Sequence, residues 1–372
     1  MRVLFLFVGE HHHVFHALPL AAELQQLRPG FQIEVAVATA AHMECVRAVQ
    51  AAYPGFEVPV RDVPLPRLLR PLVEKGPLAR TARLLRLLKA VPWLRGFDAI
   101  VVPERTSTLL RHFLRGTRLV FTPHGAGDRA IMLDPRDRHF DFVLVAGRKS
   151  EQRLLEAGTI RPGRYAVNGY VKLDLMHRMM SRRRPRLFDN DRPVVLYAPH
   201  FRQSLASWER WGTAVIEAFR NQDRYNLVVA PHIRLFHAAP AARKAAVMAL
   251  AEPGRILVDL DSDRLVDMSY TMGADIYMGD VSSQVYEFIA RPRPCVFLNA
   301  HGVRWQGDPN YRFWSMGDVV DDPVHDALGV VLLDAQHYRV AALDDLHWVR
   351  LLHDRRHALR RAVAGRIVGF EI

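Results

Sequence analysis

Short, continuously apolar runs recur along the chain at Val3–Val8, Ile33–Val37, Ala99–Val102, Leu119–Phe121, Phe142–Val145, Val194–Tyr197, Leu227–Val229, Ile256–Val258, Ile276–Met278 and Cys295–Leu298. Each has the length of a strand and lacks the polar alternation of a sheet with one wet face, so each is expected to be covered on both sides. Segments with helical spacing lie between most of them: Leu18–Leu27, Ala41–Ala52, Thr106–Leu114, Ser207–Phe219 and Val281–Ala290. Apolar strands alternating with helices define an α/β chain of βαβ units with mainly parallel sheets. At residues 179–193, MMSRRRPRLFDNDRP, the apolar rhythm gives way to Arg, Pro, Asp and Asn. The resulting division is a Rossmann-like domain over 1–180, a linker over 181–192, a second Rossmann-like domain over 193–343 and a C-terminal helical segment over 344–372. That last segment has the first domain as one docking option. No short internal repeat or low-complexity tract stands out.

With 372 residues, 49% of them hydrophobic, the chain is too apolar to be disordered and long enough for two cores. A formal net charge of +12 favours anionic partners: nucleic acid, acidic lipid headgroups or phosphorylated substrates. The only two cysteines, Cys45 and Cys295, exclude a Cys-based zinc framework and suit a reducing, cytoplasmic setting. The start, MRVLFLFVGEHHH, reads as a first strand, since Glu10 and the histidines cut its apolar run and no small-residue cleavage site follows. No run approaches the roughly 18–20 apolar residues of a membrane-spanning helix, so any membrane association is expected to be peripheral. Residues 67–95 mix leucines with Arg67, Arg70, Lys75, Arg80, Arg83, Arg86, Lys89 and Arg95 against the single acid Glu74. A stretch of that kind fits an anionic membrane surface and fits equally a two-faced helix packed on a sheet.

Ligands of open α/β sheets bind beyond the carboxyl ends of the strands, which makes the residues there the candidates for chemistry. They are Gly9-Glu10-His11-His12-His13 with His16, TPHGAGD around His124, Ala198-Pro199-His200, Ala230-Pro231-His232 and Gly279-Asp280-Val281-Ser282-Ser283; four of these five carry histidine. A metal site among His11, His12, His13 and His16 is disfavoured, because adjacent histidines on one turn diverge and no Asp or Cys pattern supports them. His13 and His16 are instead expected to line the cleft. His124 is the candidate general base, with Gly125 allowing close backbone approach and Asp128 near enough in sequence to orient the ring. His232 and the Ser282-Ser283 segment form a candidate diphosphate seat, Glu287 a candidate ribose ligand, Arg202 and Arg234 helpers, and His200 a further cleft residue. Helix capping accounts equally well for Asp280, Ser282 and Ser283, and Glu287 also fits a solvated helix charge. The chain lacks a G-x-x-x-x-G-K-S/T loop, a G-x-S-x-G elbow, an H-E-x-x-H site and a G-x-G-x-x-G after the first strand. That disfavours a P-loop nucleotide hydrolase, a serine hydrolase and an ordinary NAD enzyme.

Four segments, TPHGAGD, VVLYAPHFR, LVVAPH and MGDVSSQVYEFIARPRPCVFLN, resemble in order and spacing those of the CDP-glycerol glycerophosphotransferases, the teichoic-acid-polymerase-like enzymes. The resemblance runs from about His124 to Leu298, and its last segment is the most specific. It implies a GT-B-like fold, two Rossmann-like domains with mainly parallel sheets facing a central cleft, and no metal or other cofactor. It also implies transfer of a polyol phosphate from CDP-glycerol or a related nucleotide donor to an anionic or polyol acceptor, with His124 as base. The implied setting is cell-envelope polymer synthesis in the cytoplasm or at the inner face of the plasma membrane, with residues 67–95 touching anionic lipid and no nucleic-acid partner. Two places depart from the family: Ala126-Gly127 where Thr-Pro is usual, and His200-Phe201 where Thr-Trp is usual. A UDP-sugar glycosyltransferase or UDP-sugar 2-epimerase of the same fold is the alternative. A non-catalytic nucleic-acid binder is the remote one, for which no recognition helix, RNA-binding motif or aromatic-basic platform is present.

Overall fold

All ten apolar runs are strands in the computed structural model, which describes residues 1–63, 65, 79–125, 133–180 and 183–321. In chain order they belong to β1 (Arg2–Phe7), β2 (Gln32–Val37), β4 (Ala99–Val102), β5 (Arg118–Phe121), β6 (Phe142–Val145), β8 (Val194–Ala198), β9 (Asn226–Val229), β10 (Ile256–Val258), β11 (Ile276–Gly279) and β12 (Cys295–Leu298). Three further strands have only three residues each: β3 (Val60–Asp62), β7 (Tyr165–Val167) and β13 (Asp318–Val320). All three lie at sheet edges and bury at most one residue each, so the sequence carries no apolar run to announce them; β10, also an edge strand, buries Ile256 and Val258.

The chain divides into two units, each around one sheet whose named strand pairs are all parallel. The first has the order β3-β2-β1-β4-β5-β6-β7 and the second β10-β9-β8-β11-β12-β13. In each, the order reverses beside the first strand, between β1 and β4 and between β8 and β11, which opens a crevice beyond the strand ends.

Around the first sheet lie α1 (Val14–Leu27), α2 (Ala40–Ala52), α3 (Ala79–Leu94), α4 (Arg148–Glu156) and α5 (Val171–Met179). Around the second lie α6 (Trp208–Arg220), α7 (Ala241–Met248), α8 (Ser269–Gly273) and α9 (Gln284–Phe288). The β4, β5 and β6 runs are buried at every apolar position, as are β8, β9, β11 and β12. Each such side chain contributes about 1.5–3 kcal/mol by leaving water. The first core joins Leu4, Leu6, Ile100 and Phe121 to Leu87, Val91 and Leu94 of α3. The second joins Val195, Leu227 and Met278 to Ile216 and Phe219 of α6.

Two helical expectations are corrected. Residues Thr106–Leu114 do not form an α-helix but 3-10 turns over Arg105–His112, where the Thr108 hydroxyl donates to the Arg105 carbonyl at 2.8 Å. Such side-chain bonds compete with the α-helical ladder. The helix expected over Val281–Ala290 shrinks to the five residues of α9. Its approach is a local turn in which the Ser282 hydroxyl accepts the Gln284 N–H at 3.2 Å.

The described part of the expected linker is fastened to the second unit. Arg184 donates to the Gly273 carbonyl and pairs with Asp275 at 2.7 Å, while Asn190 bonds the Gly254 carbonyl and the Asn226 side chain. Of the basic stretch 67–95, residues 67–78 lie outside the described residues, as do Asp128 and the C-terminal segment 344–372. In α3, Leu85 and Leu88 are 38% and 40% exposed while Leu87, Val91 and Leu94 enter the core, so its leucines are divided between two faces. No helix among the described residues is long and apolar enough to cross a membrane.

Candidate active site

In the first unit, the crevice between β1 and β4 gathers groups from three strand ends. After β1 the chain makes a 3-10 turn, His11–His13, and enters α1, which carries His16. After β4 come Pro103, Glu104 and Arg105; after β5 comes His124. The His13 ring stacks on His124 with centroids 3.9 Å apart and planes 26° from parallel. His16 meets His124 edge-on at 6.3 Å and Tyr170 at 5.7 Å.

Nδ1 of His124 lies 3.2 Å from the Pro103 carbonyl oxygen. A carbonyl only accepts, so this nitrogen carries the hydrogen and Nε2 keeps its lone pair. The ring is open to solvent along part of its surface, while protein packed around its inner face holds its proton affinity below the usual value of 6.5. His13 and His16 are buried, and burial lowers both well below that value, reinforced by His124 beside His13 and by Lys172 beside His16. All three imidazoles are therefore neutral at pH 7.

Glu104 was absent from the sequence-derived candidates. Its carboxyl is only 3% exposed, and burial pushes its pKa up to about 8 despite the opposing Arg83. Oε1 accepts the Gly9 N–H at 2.9 Å and lies 3.3 Å from His13 Nδ1; Oε2 is buried with no hydrogen-bond partner. The next residue, Arg105, makes a two-pronged bond to Asp137 at 2.6 and 2.9 Å. Three consecutive residues after β4 are thus each anchored. The signal that finds them is the strand-end rule applied to the apolar run Ala99–Val102.

Gly9 is what lets Glu104 approach. A Cβ there would lie 2.4 Å from Glu104 Oε1 and 2.7 Å from its Cγ. Gly9→Ala is expected to displace the carboxyl and lower stability by about 1–3 kcal/mol, as overpacking does. Denaturant unfolding measures the loss; an unchanged midpoint would show that the crevice yields freely.

The second unit brings together residues from β8, β9 and β11. Ala198-Pro199-His200-Phe201-Arg202 and Ala230-Pro231-His232-Ile233-Arg234 follow adjacent parallel strands and are the same five-residue pattern, Ala-Pro-His-x-Arg. This is a short repeat after all, separated by a whole βαβ unit and too brief to show as periodicity. The turns match in detail: Nδ1 of His200 accepts the Arg202 N–H at 3.0 Å, and Nδ1 of His232 accepts the Arg234 N–H at 3.2 Å. In both neutral rings the hydrogen is therefore on Nε2. The turns are tied by His232 N–H donating to the Pro199 carbonyl at 2.9 Å. Phe201 lies between them, 4.5 Å from each imidazole centroid, with the Arg234 guanidinium 4.8 Å from its ring.

The β11 end behaves differently from a helix cap. Asp280 is fully buried, and its Oδ2 accepts the His200 N–H at 2.8 Å and the Ser207 N–H at 2.9 Å, so it clamps the β8–α6 connection. Ser283 is exposed and occupies the N-cap place of α9 without a side-chain cap bond. Ser282 is buried in its local turn. Glu287 is 5% exposed, so the solvated-charge reading fails, and Tyr286 is buried beside it. Among the described residues, no group of three or more His, Cys, Asp or Glu side chains is arranged to hold a metal ion. Cys45 and Cys295 are both free and buried.

No protein-family model matches the sequence, and no curated protein matches it. Solved structures do match. UDP-GlcNAc 2-epimerase from Neisseria meningitidis, bound to UDP-GlcNAc, aligns over 99% of this chain and 98% of that one, with TM-score 0.60 and 13% identity. The S. aureus MnaA–UDP co-structure aligns over 98% and 96%, with TM-score 0.63 and 15% identity. The wall teichoic acid polymerase TagF, in a variant soaked with CDPG, aligns over 97% and 85%, with TM-score 0.58 and 14% identity. At these identities the likeness is one of fold. The chain has a GT-B-like fold built on two parallel Rossmann-like sheets.

Proposed function

We propose that this chain is a transferase that moves a polyol-phosphate, glycerophosphate-like group from a CDP-activated donor to an acceptor hydroxyl in cell-surface polymer or glycan synthesis. The observation that carries the reading is the paired Ala-Pro-His-x-Arg turn at the ends of the adjacent strands β8 and β9. Two imidazoles with hydrogen on Nε2, flanked by Arg202 and Arg234, offer donors and positive charge to a diphosphate. Ser282, Ser283 and Glu287, from the neighbouring β11 end, complete the nucleotide side. His124, neutral with its Nε2 lone pair, takes the proton from the acceptor hydroxyl, whose oxygen attacks the β-phosphorus and releases CMP. The cationic groups offset charge gathering on the phosphate oxygens, the main work in phosphoryl transfer. Asp128, four residues after His124 in sequence, is the proposed orienting residue of the base. A peripheral seat at the inner face of the membrane, through residues 67–95, belongs to the same reading.

A second reading, a UDP-sugar glycosyltransferase or 2-epimerase, is favoured by one observation: buried Glu104 has its proton affinity raised while neighbouring His124 has its lowered. Groups pushed apart in this way suit paired acid and base chemistry on a sugar.

The test is a thermal-shift and calorimetric comparison of CDP-glycerol, UDP-GlcNAc and inorganic pyrophosphate. CDP-glycerol is expected to raise the midpoint most. His232→Asn keeps an acceptor for the Arg234 N–H but loses the Nε2 donor, and is expected to weaken all three ligands about tenfold, the loss of a charge-assisted bond. Undiminished pyrophosphate binding in this variant would remove the phosphate seat. A shift by UDP-GlcNAc alone would replace the first reading with the second.

A further inference from the structure

We propose that Glu104 is the positioning residue of the His124 site: its carboxyl, wedged between the Gly9 N–H and His13 Nδ1, fixes His13 in one tautomer and orientation so that its ring serves as the platform on which His124 is stacked. The inference concerns a residue that the proposed transfer reaction does not itself require.

Two contacts of Oε1 bear on the hydrogen placement. Oε1 accepts the Gly9 N–H, and a neutral acid with its hydrogen on Oε2 leaves Oε1 as the carbonyl-type oxygen. In that placement the 3.3 Å contact with His13 is Nδ1–H donating to Oε1, whereas an acid hydrogen on Oε1 would reverse the bond and leave the lone pair of His13 on Nδ1. With the acid hydrogen on Oε2, His13 takes the tautomer that the Pro103 carbonyl imposes on His124. Adjacent residues at the end of β4 set both stacked rings, and both keep the lone pair on Nε2.

Charge supports the arrangement. Burial keeps Glu104 protonated up to about pH 8, so no carboxylate faces the stack at neutral pH. His13 is held neutral by burial, with His124, His12, His16 and Arg83 adding to the effect. Arg105, Glu10 and Arg83 act on His124 itself. A proton reaching the stack therefore resides on the more open ring, His124, and the platform stays uncharged. Gly9 is part of the same device, since only a residue without Cβ admits the carboxyl.

The experiment reads tautomers directly, by long-range proton–nitrogen spectra of protein labelled with nitrogen-15 in histidine. Signals are assigned by loss in His13→Gln and His124→Gln. In the wild type at pH 7 both rings are expected as the Nδ1–H form. Glu104→Gln, which retains a carbonyl oxygen for Gly9 and His13, is expected to leave both unchanged. Glu104→Met, which keeps the shape but offers no acceptor, is expected to move His13 toward the Nε2–H form while His124 stays fixed by Pro103. An Nε2–H form of His13 in the wild type, or an unchanged His13 in Glu104→Met, overturns the proposal. Should Glu104→Met fail to fold, the wild-type spectrum still decides, together with the carbon-13 titration of the Glu104 carboxyl. That titration is expected near pH 8, and an ordinary glutamate midpoint overturns the hydrogen placement.

In turnover, Glu104→Met is expected to lower kcat about 10–100-fold, the range seen for groups that orient a functional histidine. Donor KM should stay unchanged and Glu104→Gln should remain active. This part rests on His124 being the base, whereas the spectra do not, so a failure of the proposed reaction and a failure of the positioning role give different results.

Discussion

His124→Ala is expected to lower transfer about 10²–10⁴-fold, the usual contribution of a general base, while CDP-donor binding measured by calorimetry stays as in the wild type. The division follows from where the groups sit. His124 belongs to the first unit, on the Pro103 carbonyl and the His13 ring, whereas the donor-binding groups proposed belong to the β8, β9 and β11 ends of the second. The pH profile carries a second, independent signature. A base works only when deprotonated, and packing holds His124 below 6.5, so the acidic limb of kcat should fall below that of an exposed histidine. Activity dropping already as the pH passes below 6.5 would contradict the environment described. Full activity in His124→Ala would end its assignment as base.

How much of this was legible beforehand depends on what each residue needs from its neighbours. The strands that carry the sites are covered on both faces, and that demand writes itself as continuous apolar runs. The edge strands β3, β7 and β13 bury at most one residue each and left no mark, whereas β10, an edge strand of the same length, buries both Ile256 and Val258 and did. His124 and His232 were found because they stand immediately after such runs, where topology alone predicts a ligand. Glu104 stands in an equivalent place, yet its meaning lies in partners distant in sequence, Gly9 and His13, which no local pattern joins to it. The serines show the opposite failure. Local sequence made Ser282 and Ser283 look like the start of a long helix, but the segment folds as a turn and a five-residue helix. For Asp280 local sequence offers a cap or a ligand, whereas it accepts from backbone donors at positions 200 and 207. Capping motifs are local rules, and a buried acid is drawn to whichever N–H groups tertiary structure leaves unpaired.

Asp280 should consequently govern stability more than any surface charge. Asp280→Ala removes the acceptor of two buried N–H groups and is expected to cost about 2–6 kcal/mol, from about 1–3 for each orphaned donor. Its pH dependence discriminates further. Burial pushes the Asp280 carboxyl from 3.8 up to about 7, against the opposing pull of the His200 and Ser207 donors, and pushes Glu104 from 4.5 up to about 8. Between the ordinary and raised values the folded chain holds a proton that the unfolded chain has lost, so stability falls as pH rises, by about 1.4 kcal/mol per pH unit for each group. The buried histidines oppose this below 6.5: His42, brought to about 4, with His13 and His16 lowered too, are charged only in the unfolded chain there. Above 6.5 that opposition fades, and the acids dominate, Asp280 up to about pH 7 and Glu104 up to about pH 8. Unfolding free energy should decline across this window by on the order of 2 kcal/mol. Asp280→Asn keeps an oxygen for both N–H groups but cannot ionise, so its stability relative to the wild type should improve as pH rises from 5 to about 7 and level off above that. Urea unfolding at several pH values supplies the comparison. A pH-independent difference between the two proteins would mean that Asp280 is already ionised in the fold, and that its two backbone bonds outweigh its burial.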